Sequence, residues 1–512
     1  MRSSSSSTHK GLFIAGIAAL TIALPARPAD AFCGFYVGGA GADMFADATQ
    51  VVMMRQGTTT VLTMQNRYDG PLSSFAMIVP IPEVLQKEQV KTLEPEIFKK
   101  VDTLTSPRLV EYWEQDPCRP PIEDDARNFA PSAPGSTQNS GGGVTVEAKF
   151  AVGEYEIVVL STNESTALEN WLKANNYAIP AGASSYLAPY VQGGSYFFAA
   201  KVDVKKVKFV DGRAVLSPLR FHYDSKDFKL PVRLGMINSQ GKQDLIVYLL
   251  GENQRYELQN YPNITIPTNI EVANEVRDDF GAFYRKLFAE TVRQNPKAAV
   301  TEYSWASSSC DPCPGPVRLT ASDVATLGAD VIEQQSGTQP GSSWRNWVIT
   351  RIHMRYSKDE VGEDLVFRKA PPIVGGREIK VNGKLEKGSS PSQSNNFQAR
   401  YIIRHRWTGT IGCFTPQYGT WGGDPKNAGS GPSVSSALSP NSTGASVGND
   451  PAAGPALENL VREEVTELKI KPLLSSGGCS IGGNDALIIP TLALVVGLVV
   501  FGSVRRRRRQ RR

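Results

Sequence analysis

The sequence predicts an α+β, strand-rich ectodomain with interspersed helices, preceded by an N-terminal signal peptide and followed by one C-terminal transmembrane helix. Three observations predict it. β-rich runs recur along the chain, mixed with helical periods but without the strand–helix rhythm of a parallel doubly wound sheet. Each end carries an apolar run of targeting length. The composition, 41% hydrophobic and 21% charged over 512 residues, is that of a globular chain and excludes a wholly disordered or collagen-like one.

In order along the chain, residues 50–55 and 58–64 are β-rich runs separated by Gln56 and Gly57, a hairpin in which glycine supplies the positive φ of a tight turn. Residues 75–79 read as a buried strand ended by Pro80 and Pro82, and 95–113 has helical character interrupted at Pro107. Residues 155–160 are strand-like; Ala167, Leu168, Trp171 and Leu172 then share one face of a helix that Asn163 or Ser165 caps. Strands return at 196–202, 219–223 and 243–250, and 269–294 is the longest helical stretch. Residues 320–327 form a short helix with Thr320 and Asp323 as its capping pair and Gly328 beyond. Residues 347–356 and 401–407 alternate as half-buried strands.

The ends say where the chain resides. Arg2 and Lys10 precede an apolar run, and Ala29, Asp30 and Ala31 form an A-x-A site, so residues 1–31 read as a signal peptide cleaved after Ala31. Residues 486–504 are apolar and uncharged, long enough to span a bilayer as a helix with little tilt. The arginine block 505–512 behind them keeps the tail cytoplasmic and the body exported. These ends also carry the chain's formal +5: residues 1–31 contribute +2 and 505–512 contribute +7, leaving −4 for 32–504. A mildly acidic body gives no footprint for nucleic acid, so the membrane is the expected partner and nucleic acid is not.

Between the ends the chain divides into an N-terminal α+β segment at 32–127, a flexible linker at 128–143 and a main α+β segment at 144–412. A low-complexity stalk at 413–456 and a short amphipathic helix at 457–472 follow, before the sorting or anchor signal at 477–512. The linker and stalk are dominated by Pro, Gly, Ser and Asn, too poor in large apolar groups to offset ordering entropy.

Two resemblances follow from motifs in order. Gly477, Gly478, Cys479 and Ser480, a polar spacer, the apolar run and the arginine block resemble the myxobacterial C-terminal sorting signal known as MYXO-CTERM. That resemblance implies processing near Cys479 by an intramembrane protease and display at the cell surface; a permanent single-pass anchor is the competing reading. The succession CGFYVGG, DATQVV, FAMIVPIP, EYWEQDPC, YEIVVLSTNESTALENWLKANNYAIP, CDPCPGP and TRIHMRY with GEDLVFRKAPPIVGGRE is similar to the bacterial family filed as domain of unknown function 2330, from about residue 33 to about 380. The resemblance implies an exported bacterial protein and assigns no catalytic residue.

Six cysteines stand at 33, 118, 310, 313, 413 and 479. In an exported chain disulfides are the default. Cys310 and Cys313 (C-D-P-C) admit three readings: a structural disulfide, a thiol-disulfide redox centre, or half of a metal site. Pro314 and Pro316 break any helix that would lower a thiol pKa there. Cys33 with Cys118 is a candidate second bridge, and Cys413 is left over if Cys479 belongs to the sorting signal.

No zinc spacing, calcium loop, nucleophile elbow, Walker or dinucleotide motif occurs in a supporting context, so neither metal nor cofactor is expected and no catalytic residue is assigned. Asp43 with Asp47 and Asp224 with Asp227 read as solvated turn carboxylates. His405 shares a strand face with Tyr401, Ile403 and Trp407 and reads as a packed histidine. His353 lies between Arg351 and Arg355; flanking cations are expected to depress its pKa, and the Arg-His-Arg face is a candidate anion-binding surface. The functional expectation is an envelope-anchored, non-enzymatic cell-surface binding or structural protein with an unknown extracellular ligand or envelope partner. The alternative is an envelope enzyme of unrecognised type, for example a thiol-disulfide protein using Cys310 and Cys313.

Overall fold

The computed structural model describes residues 32–33, 49–65, 76–118, 148–174, 183–210, 213–235, 242–313, 318–335, 337, 345–357, 360, 362–378, 380–381, 384–427, 432–436 and 455–472. In chain order the larger elements are β1 (Thr49–Gln56), β2 (Thr59–Gln65), β3 (Ala76–Ile81), β4 (Val90–Thr92), α1 (Glu96–Thr105), β5 (Arg108–Glu114), β6 (Lys149–Val152) and β7 (Tyr155–Leu160). They continue with α2 (Ser165–Ala174), α3 (Ala183–Gln192), β8 (Tyr196–Val202), β9 (Leu219–Asp224), β10 (Gln243–Glu252), β11 (Arg255–Leu258) and α4 (Phe280–Gln294). The last are β12 (Ala299–Ala306), β13 (Trp347–Tyr356), β14 (Leu365–Ala370), β15 (Asn396–Gln398) and β16 (Arg400–His405). The architecture is strand-rich with few helices, as the sequence pattern requires.

β1 and β2 form the expected hairpin, with Gly57 at φ 58° in its turn. They sit inside an eleven-stranded sheet whose middle runs β15-β12-β13-β10-β1-β2-β9-β4. β1 lies parallel to β10, and β10 antiparallel to β13. The run Val51, Val52, Met53, Met54 is unbroken because both faces of β1 are covered. Val51 and Met53 meet a five-stranded sheet through Met77, Val79, Ile157 and Phe198; that sheet runs Phe32–Cys33, β3, β8, β7, β6. Val52 and Met54 face α1 through Phe98, Val101 and Leu104. On the outer face of the smaller sheet, α2 and α3 bury Leu168, Leu172 and Leu187 against Ile78 and Phe197.

α4 is started by Asp279, whose Oδ1 accepts the Ala282 N–H at 2.9 Å, a cap whose loss costs about 0.5–2 kcal/mol. It packs on a sheet of β16 and β5, joined in parallel. Helix was expected throughout 269–294, but the stretch before Asp279 instead holds the short strand Ile270–Glu271 and a 3-10 turn. Residues 108–114 were expected to continue a helix past Pro107 and form β5 instead, since their side chains are buried on both faces. Gly328 ends the helix begun at Thr320, as expected: at φ 140° it is non-helical, a second helix starts beyond the kink, and its missing Cβ leaves room for Val61.

Three expectations of organisation change. Strands from 32–127 and 144–412 alternate within the same sheets, so these segments share one unit within Met1–Pro472. The stretch 413–456 is not wholly a stalk, because Trp421–Gly422 and Ser433–Ser436 pair with β5. The apolar residues of 457–472 (Leu457, Leu460, Val461, Val465, Leu468) are buried against α4, with only Leu457–Leu460 α-helical. The signal peptide, the linker 128–143 and the anchor segment with Cys479 lie outside the described residues, as do Ala31, Asp43 and Asp47. Among the described residues no helix is long and apolar enough to cross a membrane.

Candidate functional site

The period-2 geometry of β13 places Arg351, His353 and Arg355 on one face. That face is not half-exposed as expected, since all ten residues of β13 are buried. The covering elements bring carboxylates with them. Arg351 donates through Nε to Glu302 on β12 and through Nη1 to Asp102 on α1, each at 2.5 Å. Arg355 grips Asp244 of β10 with two bonds of 2.7 and 2.8 Å. His353 sits between them, Nδ1 2.8 Å from Glu302 Oε1 and Nε2 3.3 Å from Asp244 Oδ1. Tyr284 of α4 donates to Glu302, Tyr248 donates to Asp102 at 2.9 Å, and Phe288 stacks on the imidazole at 3.7 Å.

The two expectations for this face are overturned. Burial pulls the His353 pKa down, but the charge of Glu302 and the bonds to Asp244 and Glu302 outweigh it and raise the pKa above its ordinary value. Burial likewise pushes Glu302 up, yet His353 and Arg351 win and hold it at about 2. Three carboxylates thus meet two guanidiniums and an imidazolium, and the anions for which the face was suited are part of the fold. A layer this closed is suited to holding α1 and α4 on the sheet rather than to receiving a ligand.

Cys310 and Cys313 are joined to each other. Their loop is braced from outside: Arg108 donates to the Pro312 carbonyl at 2.9 Å and Gln398 to the Asp311 carbonyl at 2.6 Å. Cys118 pairs with Cys413, not with Cys33, and Cys413 is not left over. Pairing of Trp421–Gly422 with the end of β5 brings the two chain regions together, and the Gln417 N–H reaches the Pro117 carbonyl at 2.9 Å. Cys33 belongs to another sheet, opposite Ile78 of β3. Of the remaining sequence candidates, His405 bonds Glu111 at 2.7 Å and stacks on Trp113. Asp224 accepts from Thr58 and Thr59, and Asp227 pairs with Lys229. Among the described residues no group of three His, Cys, Asp or Glu is placed to hold a metal ion.

One place with room for a ligand was not singled out by any motif. A cleft of about 480 Å³ opens at the Gln56–Gly57 end of the large sheet, within the range of roughly 300–1,000 Å³ of small-molecule sites. Its walls come from the hairpin turn, residues 226–228, the ends of β10 and β13, and the facing strands β11 and β14. Phe228 packs against Tyr256 and Phe367 with ring centroids 5.2 Å apart in both pairs. Arg55 lies over Phe228 and donates to Thr60 Oγ1 and to the carbonyls of Ser225, Lys226 and Asp227. Gly251 backs two lining residues: a Cβ there would stand 2.6 Å from both the Gln254 carbonyl and the Tyr256 ring. The Gln56–Gly57 turn and Asp227 were read beforehand, but not their meeting, because five distant chain segments converge here through strand order.

A family model described as an uncharacterized protein conserved in bacteria (DUF2330) matches residues 27–368. No curated protein and no solved structure matches the chain.

Proposed function

The chain belongs to the bacterial family DUF2330, and on that premise we propose that it is an exported, envelope-anchored protein serving as a non-enzymatic binding or structural component of the cell surface. The observation that carries this is the Cys118–Cys413 bridge, which ties positions 295 residues apart. Such a bond persists in an oxidising compartment and not in a reducing cytosol. The basic and apolar leader ending at Ala31, the apolar run 486–504 and the arginine block behind it support the same reading. So does the division of charge: the titratable cluster around His353 is sealed inside the fold, and the cleft at the Gln56–Gly57 turn holds aromatic edges and polar side chains suited to recognition. Cys479 is the position at which a sorting protease would release the body from its anchor, in keeping with the MYXO-CTERM-like tail.

Intact mass of the protein from native membranes, with and without alkylation before denaturation, tests this. A chain starting at Phe32, ending near Cys479 with added mass on that residue, and unlabelled at Cys118, Cys310, Cys313 and Cys413 is expected. An uncut arginine tail would make it a permanent inner-membrane protein. Alkylation of Cys310 and Cys313 without unfolding would make it a thiol protein instead, since a structural bridge resists reduction until the fold opens.

A further inference from the structure

Of the charges lining the cleft at the Gln56–Gly57 turn, the acidic ones are already engaged: Asp227 pairs with Lys229 at 2.6 Å and Glu252 with Arg345 at 2.5 Å. The cations are not. Arg55 is fixed in place by hydrogen bonds to carbonyl and hydroxyl oxygens, and Asp227 and Asp224 act on its charge from a distance without an ion pair to it. Lys226 and Lys369 are exposed, and among the described residues neither pairs with a carboxylate. Around these three cations stand the amides of Gln56 and Gln259, exposed on the rim, and the edge of Tyr256. Amides donate and accept at once, which matches hydroxyl groups; lysine and arginine match an anionic group.

We propose that this cleft binds an anionic saccharide, a sugar unit bearing a carboxylate or phosphate, with Arg55, Lys226 and Lys369 meeting the anion and Gln56 and Gln259 meeting hydroxyls. The proposal names the ligand of the surface protein inferred above and rests on that reading for its access to envelope glycans. The cation triad selects charge, and the amide rim selects a polyol over a bare anion. Long-range attraction makes the binding fall with added salt.

Calorimetry on the purified full chain in detergent micelles tests it with four probes: trigalacturonate, neutral galactotriose, glucose 6-phosphate and inorganic phosphate. Trigalacturonate or glucose 6-phosphate is expected to bind at least tenfold tighter than galactotriose and than inorganic phosphate, and whichever does identifies the anion as carboxylate or phosphate. The double variant Lys226→Glu with Lys369→Glu is expected to lose at least tenfold of that affinity, and salt is expected to weaken it in the native chain. Equal binding of the neutral trisaccharide, equal binding of inorganic phosphate, indifference to both substitutions, or no binding of any probe overturns the proposal. Protease shaving of intact cells reads surface display separately, so a displayed protein that binds none of the probes defeats this inference and leaves the surface reading standing.

Discussion

The layer around His353 and the cleft around Arg55 are built on strands of one sheet, and each gathers basic side chains from β-rich runs. In the layer, Asp102, Asp244 and Glu302 arrive from α1, β10 and β12 to meet Arg351, His353 and Arg355. In the cleft, the acids Asp227 and Glu252 pair with Lys229 and Arg345, and among the described residues Lys226 and Lys369 form no ion pair. Whether a basic cluster is architecture or a site is decided by the carboxylates that topology delivers, which local spacing does not reveal.

The largest expected contrast comes from removing one partner on each side. Arg351→Met leaves Asp102 and Glu302 buried without their guanidinium; breaking such a pair costs about 3–5 kcal/mol, read as a lower midpoint in denaturant unfolding. If Arg351→Met unfolds at the native midpoint, the layer is not holding the helices on the sheet and the distinction fails.

The pH dependence sharpens it next. Glu302 is held at about 2 in the folded chain against about 4.3 unfolded, so its contribution, on the order of 3 kcal/mol, is present above the unfolded value and lost as pH falls toward 2. His353 has the opposite sign. Its raised folded pKa means that its contribution is complete below about 6.5 and lost as pH rises through the folded value. Stability should therefore fall on both sides of a mildly acid window, and His353→Gln should remove the alkaline slope and, because His353 helps to hold Glu302 down, shrink the acid one. A flat profile from pH 5 to 9 in the native chain would show that the imidazole does not take part in the ionic layer.

How far these regions were legible beforehand follows from where their partners lie in the chain. The β1–β2 hairpin was readable because Gly57 and the flanking β-branched runs are neighbours; the capping pair Thr320–Asp323 was readable for the same reason. The alternation of Arg351, His353 and Arg355 was readable too, but its polarity was taken for exposure. α1 and α4 cover that face, carrying Asp102 and Tyr284, and neither shares a local pattern with β13. The bridge from Cys118 missed its partner because proximity there depends on a two-residue strand, Trp421–Gly422, inside a stretch whose composition reads as linker. The cleft as a whole had no signature, being a product of strand order, and its Gln56–Gly57 turn and Asp227 were read only as separate local features.

Next to the cleft, Gly251→Ala is a gentler break than Arg351→Met. Its methyl meets the Gln254 carbonyl and the Tyr256 ring at 2.6 Å, so the turn and ring must shift, at about 1–3 kcal/mol for overpacking. The same shift moves Gln254 and Tyr256, which line the cleft, and ligand affinity should fall more than denaturant stability does. Equal loss of both would make Gly251 a packing glycine only.

The smallest expected effect is the most discriminating. Lys226 and Lys369 are exposed, and surface substitutions away from caps and networks usually change stability by no more than about 0.5 kcal/mol. Converting both to Glu should therefore leave the unfolding midpoint where it was, or raise it slightly by relieving repulsion with Arg55. That near-silence in stability, set beside a loss of anion binding, is what separates a free site from an internal one, because no residue of the His353 layer can be changed without cost to the fold. A midpoint lowered by more than about 1 kcal/mol would place these lysines outside the ordinary surface range. They would then belong with Arg351 and Arg355 as parts of the structure, and the cleft would lose the one property that distinguishes it from the buried layer.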